Sequence, residues 1–155
     1  MKNTVLMGMS GCGKTTLIQA LLHQPLQYAK TQTVERCLHF IDTPGEYMEI
    51  RHFYRALIVT AADADEVGLV QDVGRVTSWI PPAFATTFAK PVFGIVTKTD
   101  LAANRAAVDQ ARDALERAGA KTVFEVSAVE NDGLSDLWRY LNTNEQTQTT
   151  NNTPK

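Results

Sequence analysis

Two cysteines, Cys12 and Cys37, are all the chain carries in 155 residues, and they stand far apart with no CxxC pair. Their scarcity excludes a disulfide framework and a cysteine-based zinc site, and it fits a reduced, cytoplasmic compartment. The histidines are as few. His23, His39 and His52 share no ligand spacing with one another or with the cysteines, and they read as surface or packing residues. No window approaches the roughly 18 consecutive apolar residues of a membrane helix. Met1-Lys2 and the apolar residues after it imitate a signal peptide only briefly, because they run straight into a glycine-rich loop that cleavage would remove. With no prenylation cysteine near the C-terminus and no glycine after Met1, no lipid anchor is expected. Charge of one sign is missing too: 15 Lys and Arg balance 17 Asp and Glu, for a formal net charge of -2 with no basic block. A dedicated nucleic-acid surface is not expected from such a pattern.

What remains is a chain with 44% hydrophobic residues, enough for one domain around one sizeable core. Short apolar runs alternate with helical patterns, as in a mostly parallel sheet covered by helices on both faces. Strands are expected at Thr4 to Met7, Val67 to Val70, Pro91 to Thr97 and Thr122 to Val126, and helices at Lys14 to Leu22, Asn104 to Ala118 and Leu134 to Leu141. Gln24-Pro25 ends the first helix, and Gly119 caps the helix that precedes it. Leu26 to Thr33 reads as loop. Val34 to Arg36 and Leu38 to Ile41 form either a tight hairpin of two short strands or one longer irregular strand. Tyr47 to Thr60 carries helical spacing at Tyr47, Ile50, Tyr54, Leu57 and Ile58. The stretch from Asp72 to Ala89, with Pro81-Pro82 inside it, reads as loop with a short helix. Residues 1–142 make the domain, while 143–155 are almost all Thr, Asn and Gln, too polar to offset the entropy of ordering them, and are expected to be disordered.

The most informative segment is Gly8-Met9-Ser10-Gly11-Cys12-Gly13-Lys14-Thr15, followed by Thr16, between the first strand and the first helix. The amides that open a helix have no intrahelical partner and attract anions. Glycines allow those amides to turn inward, Lys14 reaches the β- and γ-phosphates of a nucleotide, and the Thr15 hydroxyl is placed to ligate magnesium. Cys12, at a variable loop position, reads as a small apolar filler. Asp42-Thr43-Pro44-Gly45 follows a strand; its aspartate can hold magnesium through water and the Gly45 amide can sense the γ-phosphate, although the segment also reads as a plain strand-ending turn.

Thr97-Lys98-Thr99-Asp100 stands at the carboxyl end of the strand before it, where open α/β sheets place their ligands. A carboxylate there accepts two hydrogen bonds from the N1-H and exocyclic amine of guanine, whereas adenine offers neither. A buried Asp100 facing adenine would be left unpaired, and sites built in this way reject the wrong ligand by about 10⁴ or more. Lys98 would lay its stem along the base. The alternative is that Asp100 only caps a helix. Ser127-Ala128, after the last strand, offers a backbone amide to the guanine O6.

With these segments in order, the chain resembles the small Ras-like GTPases of the phosphate-loop superfamily from Asn3 to Asn142. Within that superfamily it is similar to the EutP/PduV family of ethanolamine- and propanediol-utilisation proteins, leaning toward the propanediol branch. The likeness is carried by Gly8 to Thr16, Tyr28-Ala29-Lys30-Thr31-Gln32-Thr33-Val34, Ile41-Asp42-Thr43-Pro44-Gly45-Glu46-Tyr47 and Val96-Thr97-Lys98-Thr99-Asp100-Leu101. It implies a three-layer Ras-like fold, GTP or GDP with Mg2+ as cofactors, and a bacterial cytoplasmic protein, monomeric or weakly dimeric. It also implies association with a catabolic microcompartment through a shell or cytoskeletal-type partner.

The residues that depart from the Ras-like pattern bear on turnover. Thr31 is the best match to the threonine that closes over magnesium and the γ-phosphate, with Thr33 the alternative, yet the spacing from either to Asp42 is short. Glu46 follows Gly45 where Ras-like proteins have the glutamine that orients water; a carboxylate can act as base but is repelled by the γ-phosphate, and it equally suits a helix start. Lys14, Thr31, Gly45 and Glu46 are thus the expected catalytic set, with Thr15, Thr31 and Asp42 at the metal. Intrinsic hydrolysis is expected to be slow, on the order of 10⁻⁴ per second for Ras-type sites, and an arginine finger adds about 10³ to 10⁵. Arg36, Arg51 and Arg55 are finger candidates by proximity alone and read better as salt-linked surface residues. Two other readings remain open: a phosphotransferase acting on a small metabolite of the pathway, and an adaptor that holds its nucleotide structurally.

Overall fold

The computed structural model describes residues 1–26, 33–50, 53–74 and 80–143, the side chain of Glu46 excepted. Six strands form one sheet: β1 (Thr4–Met7), β2 (Glu35–Cys37), β3 (Phe40–Asp42), β4 (Glu66–Asp72), β5 (Val92–Thr97) and β6 (Val123–Glu125). Their spatial order is β2-β3-β1-β4-β5-β6, parallel throughout except for the antiparallel β2–β3 pair at one edge. The parallel strands are buried almost from end to end, which is why they appear in the sequence as continuous apolar runs.

Alternation along these strands divides the interior in two. Val5 and Met7 of β1, Val67 and Leu69 of β4, and Val92 and Val96 of β5 face one side. There they meet Leu57 and Ala61 of α3 (Tyr54–Ala62) and Val108, Ala111 and Leu115 of α4 (Arg105–Ala118). Leu6, Val70, Phe93 and Ile95 face the other side, against Leu17, Ile18 and Leu21 of α1 (Lys14–Leu21) and Leu134, Leu137 and Leu141 of α5 (Leu134–Thr143). The result is the expected three-layer α/β sandwich with helices on both faces. α4 starts at an Asn104 cap whose side chain accepts from the Ala107 amide at 3.1 Å, and it ends at Gly119 with φ 106°.

Several elements differ from the sequence reading. The helix expected over Tyr47 to Thr60 is two pieces, α2 (Glu46–Glu49) and α3. Tyr47 and Phe53, on either side of the break, stack with ring centroids 5.3 Å apart; Ile50 and Ile58, counted toward an apolar face, are exposed. The hairpin is real, but its strands lie one or two residues later than expected, with Leu38 in the turn at φ 52°. β4 extends to Glu66 and Asp72, both buried. β6 is shorter than expected. Between Asp72 and Ala89, where a short helix was anticipated, the described residues form a 3-10 turn at Phe84–Thr87. Most of the Leu26 to Thr33 loop and of the polar tail lies outside the described residues.

One charge in the core stands out. Glu66 opens β4 fully buried, its Oε1 accepting from the Thr4 hydroxyl at 3.1 Å while Oε2 is buried with no hydrogen-bond partner among the described residues. Burial pushes its carboxyl above the ordinary range, against the pull of the Thr4 hydroxyl and Lys2. This end of the sheet is opposite the carboxyl ends of the strands, where the site lies.

Candidate functional site

The loop from Gly8 to Thr15 joins β1 to α1 at the carboxyl edge of the sheet. Gly8 has to be glycine: a Cβ there would stand 2.6 Å from the Val70 carbonyl and 2.7 Å from the Cys12 sulfur. Gly11 and Gly13 take left-handed conformations, with φ 77° and 96°. Cys12 is buried under the loop, and burial pushes its thiol above the ordinary range against the pull of Lys14. That fits packing rather than reactivity.

Lys14 is 5% exposed, and its ammonium donates to the loop carbonyls of Gly8 at 2.8 Å and Met9 at 3.2 Å. The Thr15 hydroxyl donates to Asp42 Oδ2, which brings together two of the three residues expected at magnesium. Asp42 is buried at the end of β3, so a hydroxyl and a carboxylate, both hard oxygen donors, meet beside the loop; this donor set fits magnesium. Groups of three or more His, Cys, Asp or Glu able to hold a metal do not occur among the described residues. Thr31 lies outside the described residues, while Thr33 is exposed two residues ahead of β2.

The turn after β3 is held against the loop. The Thr43 hydroxyl donates to the Leu6 carbonyl at 2.7 Å, and a Cβ at Gly45 would fall 2.0 Å from the Ser10 nitrogen. Only glycine allows this approach. Glu46 begins α2 immediately after it. From the end of the same short helix Glu49, a residue the sequence reading did not single out, accepts from the Ser10 amide at 3.1 Å. Of the arginine candidates, Arg36 is paired with Asp63 at 3.0 Å on the surface, Arg55 is exposed on α3, and Arg51 lies outside the described residues.

Thr97, at the end of β5, is 4% exposed, and its hydroxyl donates to the Cys12 carbonyl at 2.5 Å. Lys98 follows in a left-handed conformation, φ 59°, with its ammonium on the Gly11 carbonyl and 3.9 Å from the Asp72 carboxylate at the end of β4. Asp72 is another residue the sequence reading missed, although its place at the carboxyl end of a parallel strand was a signal. Asp100 is exposed rather than buried, because it lies on a 3-10 turn (Thr99–Leu101) at the rim of a pocket; its Oδ1 accepts from the Ser127 hydroxyl at 2.8 Å. Ser127 is fixed in turn by backbone bonds with Asp132 and by the Glu130 amide on its hydroxyl.

These segments enclose a pocket of about 200 Å³ lined by Gly13, Thr16, Leu17, Thr97, Lys98, Asp100, Leu101, Val126, Ala128 and Val129. Leu101 and Val129 are about 70% exposed. In an apolar slot open to solvent such side chains are walls for a flat ring, and here the slot has a carboxylate on its rim and the phosphate loop at its floor.

A family model of ethanolamine-utilisation and propanediol-utilisation proteins matches residues 1–143. The propanediol utilization protein PduV of Citrobacter freundii is 41% identical over 145 residues, covering 94% of this chain and 96% of that protein. The probable acetate kinase EutP of Escherichia coli (strain K12) is 32% identical over 143 residues, covering 91% and 89%. Among solved structures, Methanosarcina barkeri Roco2 RocCORdC bound to GDP matches with a TM-score of 0.60 and 20% identity over 90% of this chain and 47% of that one, a likeness in fold.

Proposed function

The chain belongs to the PduV-EutP family of ethanolamine- and propanediol-utilisation proteins, and from that membership we propose that it binds guanine nucleotide and hydrolyses GTP slowly with magnesium. The observation that carries this reading is the pocket between Lys98, Asp100, Ala128 and the Gly13 end of the phosphate loop. A base in that slot has the Asp100 carboxylate at its edge and the Lys98 stem at its face, and its phosphates run into the amides that open α1. Ser127 orients Asp100 by donating to Oδ1, which still has a second lone pair, so the carboxylate can accept both hydrogen bonds from the base.

Lys14 supplies the cation for the phosphates. Thr15 and Asp42 would hold the magnesium, with Thr31 completing the set; when bound, the ion neutralises charge that develops on the phosphates. Gly45 presents its amide from a turn pressed against the loop. Glu46 stands where a water-orienting residue is needed, and repulsion between its carboxylate and the γ-phosphate accounts for slow unassisted turnover. A monomeric or weakly dimeric protein that meets a microcompartment shell or cytoskeletal-type partner in the cytoplasm belongs to the same proposal. The 41% identity to a propanediol-utilisation protein favours that branch.

Titration calorimetry with GDP and ADP tests the base reading: GDP is expected to bind far more tightly, and equal affinities would remove guanine specificity. Asp100→Asn is expected to weaken GDP about 100-fold or more and to favour xanthosine diphosphate, in the range of a lost buried polar match discounted for the exposure of the rim. Unchanged GDP binding would mean that Asp100 does not read the base.

The second reading, transfer of the γ-phosphate to a small carboxylate, is favoured by one observation: relatives 32–33% identical carry the name probable acetate kinase. Nucleotide-dependent formation of acetyl or propionyl phosphate faster than hydrolysis would decide for it.

A further inference from the structure

The phosphate loop is an anion receptor, and in this structure one of its amides already has an anion. Glu49, four residues beyond Gly45, accepts from the Ser10 amide at 3.1 Å across 39 residues of sequence. Ser10 is also the residue on which Gly45 rests, since a Cβ on Gly45 would lie 2.0 Å from its nitrogen and 2.4 Å from its Cα. The carboxylate therefore stands at the junction of the loop and the turn after β3. Lys14, meanwhile, is satisfied by the loop carbonyls of Gly8 and Met9.

We propose that Glu49 is a specificity-determining residue that sets the site against a third phosphate. The inference rests on the nucleotide reading above, in which the Gly45 turn meets the γ-phosphate. A diphosphate is held by the amides at the α1 end of the loop and leaves Ser10 and Glu49 as they are. A γ-phosphate arriving beside Gly45 meets a carboxylate already bonded to the adjacent amide. Like charges at this range disfavour each other, so either Glu49 gives up its bond or the triphosphate binds more weakly. Glu49 is solvent-exposed, so the effect is partly screened and salt-dependent. The consequence is a site biased toward its diphosphate state, with Glu49 as the residue that must move for the triphosphate to enter.

The test uses the full chain stripped of nucleotide, wild type and Glu49→Gln, titrated with GDP, GTP, ADP, ATP, pyrophosphate and tripolyphosphate at low and high salt. Glutamine keeps the length and the acceptor and removes the charge. The variant is expected to raise the ratio of triphosphate to diphosphate affinity roughly tenfold at low salt, the size of one like-charge repulsion relieved at a partly exposed site, with the gain shrinking at high salt. Diphosphate affinity should stay within about twofold. A ratio that does not change, or affinities for both that move together, overturns the proposal. So does a variant that slows hydrolysis while leaving the ratio alone, because Glu49 would then serve the reaction rather than the selection. Failure of the guanine reading has a separate signature, equal wild-type affinity for guanine and adenine nucleotides, and leaves the phosphate ratio interpretable.

Discussion

Replacing Thr97 by valine keeps the shape of the side chain and removes one hydroxyl, the donor to the Cys12 carbonyl at 2.5 Å. Thr97 is 4% exposed at the end of β5 and Cys12 is buried in the phosphate loop, so water does not readily take the place of the lost donor. A carbonyl left dry costs about 1–3 kcal/mol, and the methyl that replaces the hydroxyl returns about 0.8 kcal/mol of apolar burial. The net loss expected is about 1–2 kcal/mol, which for a chain of this size lowers Tm by about 2–8 °C. Because the bond fixes the loop rather than a distant part of the core, nucleotide affinity should fall with it, by about fivefold to thirtyfold if most of the loss falls on the loop. Thr97→Ser is the control: it keeps the hydroxyl and deletes a buried methyl, so it should lower Tm and leave affinity nearly unchanged. Thermal melts and calorimetry on the three proteins decide the matter. Equal affinity losses in the valine and serine variants would refute the argument, since the hydroxyl would then have no special hold on the loop.

Two further outcomes follow from contacts elsewhere. Gly45→Ala places a methyl 2.0 Å from the Ser10 nitrogen, backbone against backbone, and is expected to cost about 1–3 kcal/mol in urea unfolding while displacing the turn; an unchanged midpoint would mean that the turn moves away freely. Glu66 has a carboxyl whose affinity for its proton is raised by burial in the folded protein, so the folded state binds more protons than the unfolded one. Its contribution to stability is therefore full at acid pH and is lost as pH rises from the ordinary carboxylate range through the raised folded value. Melts across pH should show that decline, and Glu66→Gln should flatten it and raise Tm near neutrality by about 2–4 °C for each 1 kcal/mol of relieved burial; a decline of the same size in the variant would assign it to another group.

The phosphate loop and most of the parallel strands were legible in the sequence because both are local. Glycines at Gly8, Gly11 and Gly13 mark a backbone that no other residue follows, and strands buried on both faces show as unbroken apolar runs. Strand ends were less legible: β4 extends past its apolar core to Glu66 and Asp72, because burial there is decided by the neighbouring strands rather than by the residues. The break between α2 and α3 could not be read from helical spacing, which runs straight through it; the Tyr47–Phe53 stack across it and the burial of Met48 are contacts only the fold reveals. Asp100 was expected to be buried and is exposed, its carboxylate positioned by Ser127 from 27 residues away. Glu49 had no signal at all. One carboxylate among several on a polar helix end looks ordinary until the fold brings it to Ser10.

The Lys98 ammonium touches three strand ends at once: it bonds the Gly11 carbonyl after β1, lies 3.9 Å from Asp72 at the end of β4, and belongs to the turn after β5. Its cost is conformational entropy, and that cost is met when the chain folds rather than when a ligand arrives. The turn that bears Asp100 is thus ordered relative to the phosphate loop in advance, so a ligand held at one end finds the other already in place. Less of the interaction energy goes into immobilising the protein, and more of it is available as affinity.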